Sequence, residues 1–264
     1  MELTLVLALV FLVISIFFSM FGMGGGILYV PILLFAGFSM EQAPGISLIL
    51  IAATSLAALS KFQKHNKVDW KLALVIDPPT DILAVVGGYY SAALSESLLR
   101  GILACLLVVA GTFMFKNRRQ TTLNTPVEKH WWLWRREFYG ERYHVNLPLV
   151  LTVSGSIGLL SGMLGVTGGL IKLPIMVLLC GVPMDIAVAT STVMITLTAL
   201  SGLSGHVING QVDWHTGLTL AIAAVVGGLV GGHISVGIDK MRLKKWFGIV
   251  MWLVALRIMF QLLS

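Results

Sequence analysis

A stretch of about a hundred residues occurs twice in this 264-residue chain, and the two copies carry their positive charges on opposite flanks. Gly22-Met23-Gly24-Gly25-Gly26-Ile27-Leu28-Tyr29-Val30-Pro31 matches Gly165-Val166-Thr167-Gly168-Gly169-Leu170-Ile171-Lys172-Leu173-Pro174. With one residue of slippage, Ser47, Thr54 and Ser60 match Ser191, Thr198 and Ser204. Val68-Asp69-Trp70 then returns as Val212-Asp213-Trp214, and Gly87-Gly88 as Gly231-Gly232. The nearly constant offset makes coincidence a poor explanation, so the architecture must itself be duplicated.

Each copy holds five apolar runs. They cover roughly 3–21, 27–38, 45–60, 71–91 and 98–115 in the first half, and 147–164, 168–180, 187–207, 216–235 and 242–263 in the second. Runs of about 18 residues or more can cross a bilayer as helices. The second run of each half is too short, which predicts a half-helix or one arm of a re-entrant hairpin. Of all residues 57% are apolar and 11% charged, where a soluble domain carries about 25% charged. A soluble chain of this length has too little interior for that much apolar surface, so the implied solvent is lipid. The fold class expected is all-α: a polytopic helical membrane protein of two inverted repeats, with short or broken helices at the glycine motifs. The first run lacks a basic n-region and a small-residue cleavage site, and reads as a retained helix.

Charge sets the orientation. Lys61, Lys64, Lys67 and Lys71 follow the third run of the first half, and the equivalent loop 205–215 has no Lys or Arg. Before the fifth run the bias reverses: Arg100 alone in the first half, Lys240, Arg242, Lys244 and Lys245 in the second. By the positive-inside rule the equivalent loops lie on opposite sides. Together with the basic linker this places 15 of the 18 Lys and Arg residues inside. The predicted organisation is a first repeat 1–115, a linker 116–146 on the inner side, and a second repeat 147–264, with both termini outside. The linker mixes Trp131, Trp132, Trp134, Phe138 and Tyr139 with its arginines, a composition suited to the headgroup region. Basic residues confined to short loops are topology signals, which sets nucleic-acid binding aside despite a net charge of +6.

Glycine breaks recurring in both halves point to a transporter site. Gly25, Gly26, Gly168 and Gly169 let the backbone leave helical geometry, and a helix starting behind them offers free N–H groups and a positive dipole end. Two such ends would suit an anion. The third run of each half adds hydroxyls: Ser47 and Thr54 lie seven apart on one face, Ser191 and Thr198 repeat the spacing, and Thr192 enriches the second copy. Such hydroxyls can donate to an anion or bond back to their own helix. Lys172, whose counterpart is Tyr29, stands alone in an apolar run. A mid-membrane lysine costs about 2.5–3.5 kcal/mol to insert, so it faces a ligand or snorkels out to an interface.

Asp77 and Asp81 lie one turn apart around Pro78-Pro79. Asp77 is placed to cap a helix restarting at Pro78 and stands beside Asp81 as a candidate for proton coupling. Asp81 lies ten residues past Lys71, about 15 Å into the membrane by helix rise, where a carboxyl group could carry a coupling proton. The second half has Ala221 and Val225 instead. Asp69 and Asp213 read as N-caps beside interfacial tryptophans. His206, His215 and His233 are scattered, the two cysteines show no CxxC, and no GxxxxGK[ST] occurs. These observations favour neither metal, cofactor nor nucleotide chemistry, and no nucleophile–base constellation argues for an enzyme.

The duplicated glycine–proline motifs, with Ala187…Thr190-Ser191, Val212-Asp213-Trp214 and Gly231-Gly232, resemble the sulfite exporter (TauE/SafE) family over nearly the whole chain except the linker. Pro44-Gly45-Ile46-Ser47 departs from the small-Thr-Ser pattern of the second copy, and the linker is longer than the family leads one to expect. The resemblance implies a plasma-membrane permease that moves sulfite or an organosulfonate, outward, with the anion held between the broken helices. The partners this implies are a small anionic substrate and the lipid bilayer, and a homodimer is one of the oligomeric states left open. An anion channel, or a membrane assembly protein recruiting a partner through the linker, are the competing expectations.

Overall fold

Apolar residues run helical until a proline, a glycine or a capping side chain intervenes, and those signals set the element ends in this chain. The computed structural model describes the chain apart from residues 1, 21–23, 25, 64–66, 116–131, 167–171, 174–175, 178–179, 235–239 and 264. In chain order the elements are α1 (Glu2–Ser19), α2 (Gly26–Phe35), α3 (Ala43–Phe62), α4 (Trp70–Ile76), α5 (Pro78–Tyr90) and α6 (Glu96–Phe115). A hairpin of β1 (Leu133–Phe138) and β2 (Glu141–Asn146) follows, then α7 (Leu147–Leu164), α8 (Met184–Ile208), α9 (Trp214–Ile234) and α10 (Lys240–Leu263). Asp69 accepts the Leu72 N–H at 3.1 Å and Asp213 the Thr216 N–H at 3.1 Å, so both act as the N-caps their sequence predicts. Helix α7 stops at Gly165, whose φ of +63° only glycine adopts without strain.

Among the described residues four helices are long and apolar enough to cross a membrane: α3, α7, α8 and α9. The pair α4–α5 adds a fifth candidate, bent by 48° at Asp77. The bend has a local cause. Pro78 and Pro79 lack N–H groups, so the hydrogen bonds that would reach back to Leu74 and Val75 cannot form. The predicted continuous run 71–91 is therefore two helices. The predicted run 168–180 lies largely outside the described residues.

The chain is mostly helical, and the hairpin is the departure from an all-α fold among the described residues. Within the linker, Leu133–Phe138 and Glu141–Asn146 pair antiparallel, with Arg136 opposite Tyr143 and Trp134 opposite Val145. The rest of the linker, 116–131, lies outside the described residues.

Helix packing follows the matched glycines. Helix α5 packs on α7 and α8, and α9 packs on α1 and α3. A methyl group at Gly87 would sit 2.1 Å from the Leu159 carbonyl oxygen, and one at its repeat counterpart Gly231 would sit 2.0 Å from that of Ile16. On α7, added methyls at Gly158 and Gly162 would sit 2.2 and 2.0 Å from the carbonyl oxygens of Thr80 and Ala84. Backbones this close admit only glycine, the usual device where lipid supplies no hydrophobic drive between helices. One buried apolar cluster joins α1, α2, α3, α6 and α10; a second joins the end of α3, α4, the hairpin, α7 and the start of α8. Large apolar side chains such as Leu9, Ile82, Leu218, Ile222 and Phe260 face outward, while Thr54, Ser55, Thr190, Ser191 and Thr198 are buried. Apolar outside and hydroxyl-lined inside is the pattern of a helical bundle in lipid.

Candidate functional site

The break between α4 and α5 gathers four of the side chains singled out in the sequence. Lys172 donates from Nζ to Asp77 Oδ1 at 2.5 Å and to Thr198 Oγ1 at 2.7 Å. A hydroxyl has a single proton, and Thr198 directs its own to Asp81 Oδ1 at 2.9 Å. A continuous chain Asp77···Lys172···Thr198···Asp81 results, drawn from the break between α4 and α5, the segment before α8, the middle of α8, and α5. The Lys172 and Asp77 side chains are 1% and 2% exposed, whereas Asp81 is half-buried. With both carboxylates ionised the cluster carries one net negative charge. A charge pair this deep is held by its mutual geometry, since neither ion has water to fall back on.

Two expectations are settled by this geometry. Lys172 does not snorkel, because its ammonium is buried and paired. Asp77 occupies the N-cap position of α5 but makes no side-chain cap hydrogen bond. Pro79 removes the N–H at the second helical position, and the carboxylate turns to Lys172 instead of to the Thr80 N–H at the third. Its second oxygen, Oδ2, has no hydrogen-bond partner among the described residues, and neither do the buried hydroxyls of Thr80 and Ser154.

The first half contains the neutral counterpart of this cluster. Tyr29, the repeat match of Lys172, lies 3.1 Å by its hydroxyl from Oγ1 of Thr54, the match of Thr198. Thr54 gives its proton to the Leu50 carbonyl at 2.7 Å, so the Tyr29 hydroxyl is the donor. Phe11 packs edge-on to the Tyr29 ring at 5.2 Å. Ala221 and Val225 stand where the other half has Asp77 and Asp81, so no charge is present at this pseudo-equivalent position.

The remaining candidates scatter. Ser47 donates to the Gly165 carbonyl at 2.7 Å and so fastens α3 to the end of α7. Ser191 and Thr192 bond back to the Val188 carbonyl at 3.0 and 2.8 Å. Gly26 is buried as the first residue of α2. Gly25, Gly168 and Gly169 lie outside the described residues, but Gly24 beside the first break has a φ of +66°, outside helical geometry. Sequence reasoning missed the contact of Thr196 Oγ1 with Ser55 Oγ at 2.9 Å, which joins α3 to α8. It also missed His206, whose ring bridges the Gly162 carbonyl at 2.8 Å and Gln211 at 3.1 Å. Neither carried a local motif by which to find it.

Comparison with known proteins places this site in context. A family model described as sulfite exporter TauE/SafE matches residues 7–258. Over 256 residues the chain is 28% identical to the probable membrane transporter protein YunE of Bacillus subtilis strain 168, covering 93% of this chain and 92% of that one. A probable membrane transporter protein of Methanocaldococcus jannaschii is 28% identical over 254 residues, covering 90% and 88%. The probable membrane transporter protein YfcA of Escherichia coli strain K12 is 22% identical over 241 residues, covering 90% and 83%. No solved structure matches the chain.

Proposed function

The chain belongs to the sulfite exporter TauE/SafE family, and from that premise we propose that it is a secondary transporter of a small sulfur-containing anion, such as sulfite or an organosulfonate, with transport coupled to a proton. The observation that carries this reading is the buried Lys172–Asp77 pair at a helix break. Lys172 is the cation an oxyanion needs, and Asp77 already occupies it. A substrate anion can bind the ammonium only by displacing the carboxylate. Displaced and still ionised, Asp77 would be a buried charge without a partner, a loss of several kcal/mol. A proton on its free Oδ2 removes that cost. Anion and proton therefore bind together and leave together, with Thr198 and half-buried Asp81 connecting the pair to the less buried side of the cluster. For a monovalent anion the step is electroneutral, so the anion gradient and the pH gradient set the direction. A substrate accumulating inside leaves outward.

The scaffold we infer is a pair of inverted repeats, 1–115 and 147–264, in a plasma membrane, with the linker inside and both termini outside. Three features support this: the reversed lysine bias, the exchange of packing partners between the matched glycines of α5 and α9, and the matched Tyr29–Thr54 and Lys172–Thr198 contacts. The proton-linked reading is tested by sulfite binding to purified protein across pH. The parent should bind more tightly as pH falls. Asp77→Asn, a permanently neutral mimic of the protonated acid, should bind tightly at every pH. Equal pH dependence in parent and variant would remove Asp77 from the exchange.

A further inference from the structure

The hairpin is fastened to the helices through one carboxylate. In antiparallel register Arg136 stands opposite Tyr143 and Trp134 opposite Val145, so these four share a face. From that face Arg136 gives Asp69 a bidentate pair, Nη2 to Oδ1 at 2.8 Å and Nε to Oδ2 at 2.9 Å, and the Tyr143 hydroxyl also donates to Oδ2. The backbone N–H of Asp69 donates to Thr190 Oγ1 at 3.0 Å, which ties the knot to α8. Asp69 is fully buried, and the rings of Trp134 and Phe138 each lie 5.8 Å from the Arg136 guanidinium carbon. The second strand holds a different part of the chain. The His144 N–H donates to the Cys180 carbonyl at 3.1 Å, and Tyr143 and Val145 belong to the same buried apolar cluster as Leu173, Met176, Cys180 and Val182.

The two attachment points flank the Lys172–Asp77 pair. Asp69 lies eight residues before Asp77 at the start of α4, and Cys180 eight residues after Lys172. One hairpin therefore clasps both arms that carry the ion pair. Asp213, the repeat counterpart of Asp69, is satisfied within its own turn, by the Thr216 N–H at 3.1 Å and the Thr216 hydroxyl at 2.6 Å. The clasp thus belongs to one end of a molecule whose other end lacks this tie. We propose that residues 133–146 form a gate over the linker-side entrance to the Lys172 site, latched by Arg136 and Tyr143 on Asp69, and that the latch opens whenever the site is reached from that side. The fork geometry matters: a guanidinium holds the two carboxylate oxygens with two parallel N–H bonds, and an ammonium offers no such planar fork.

The chain carries its own reporter, since Cys180 is buried under the hairpin and Cys105 is exposed. In a Cys105→Ser background, maleimide labelling of Cys180 in the full-length protein in lipid nanodiscs reads the open fraction directly. Breaking a buried pair raises the open population, so Arg136→Ala should label roughly tenfold faster or more, with Arg136→Lys between it and the parent. A Cys180 thiol as slow in Arg136→Ala as in the parent would overturn the gate. A second arm avoids variants that lose the fold. Asp69→Cys and Arg136→Cys, placed in a chain also carrying Cys105→Ser and Cys180→Ser, are joined by a short cleavable dithiol cross-linker. Sulfite flux should stop on cross-linking and return on reduction; undiminished flux through the cross-linked protein would overturn the gate. The labelling arm is independent of the transport reading. A parent that carries no sulfite while Cys180 still responds to Arg136→Ala would sink that reading and leave the gate standing.

Discussion

Replacing one member of the Lys172–Asp77 pair should cost far more stability than replacing both. The side chains are 1% and 2% exposed, so solvent screens almost none of the charge left behind by a single substitution. Breaking a buried pair from one side costs about 3–5 kcal/mol, whereas neutral residues of similar volume in place of both are often close to neutral. Lys172→Met and Asp77→Asn should thus each lose about 3–5 kcal/mol, and the double variant well under their sum. A coupling energy of at least about 2 kcal/mol is expected, because the two groups share one hydrogen bond and Asp81 stays constant through the cycle. The assay is unfolding in mixed micelles with rising dodecyl sulfate, read by circular dichroism for all four proteins. Single losses that add to the double-variant loss within about 0.5 kcal/mol would show that the two side chains do not depend on each other, and the site as drawn would fall.

Further outcomes can be checked separately. Asp81→Asn should leave anion binding nearly intact while removing the response of flux to a pH gradient; unchanged pH-driven flux would take Asp81 out of the route. A single cysteine at Lys64 or Lys244 should react only with membrane-permeant reagents and one at Asn209 with impermeant reagent from outside, and labelling of 64 and 209 from one side would refute the inverted orientation. Burial alone would raise the carboxyl of Asp69, but Arg136, Tyr143 and the Leu72 N–H together hold it below the ordinary value of 3.8. The stability it lends is therefore complete above 3.8 and lost as the pH falls through the lowered value, so Asp69→Asn should unfold with less acid sensitivity than the parent.

The helical scaffold was the legible part of this sequence, because lipid permits few structures and apolar run length and closely packing glycines report them directly. Lys172, Asp77, Asp81 and Thr198 were each visible too, since a charge in an apolar helix must have a reason. Their convergence was not visible: Lys172 and Asp77 are 95 residues apart, and no local pattern links them. The capping role expected of Asp77 gave way to its ion pair with Lys172, a partner too distant in sequence for a local motif to show. Ser191 and Thr192 sit where spacing suggested a ligand face, and both hydroxyls bond back to their own helix, the local alternative the sequence also allowed. The hairpin carried a signal that its arginines obscured. Trp134, Arg136 and Phe138 alternate, Tyr139-Gly140 supplies a turn with φ of 55° and 77°, and Tyr143 and Val145 alternate again.

Uptake and counterflow in proteoliposomes, at a set pH gradient, test the central claim most directly. The panel is sulfite, sulfoacetate, taurine, sulfate and a cation control, with the parent and Lys172→Gln side by side. The parent should move sulfite or sulfoacetate, accelerate with unlabelled substrate on the opposite side, and follow the pH gradient, while Lys172→Gln loses the anion flux. Flux of the same anion through Lys172→Gln at the parent rate, with no response to the pH gradient in either protein, would contradict an anion site built on the Lys172–Asp77 pair.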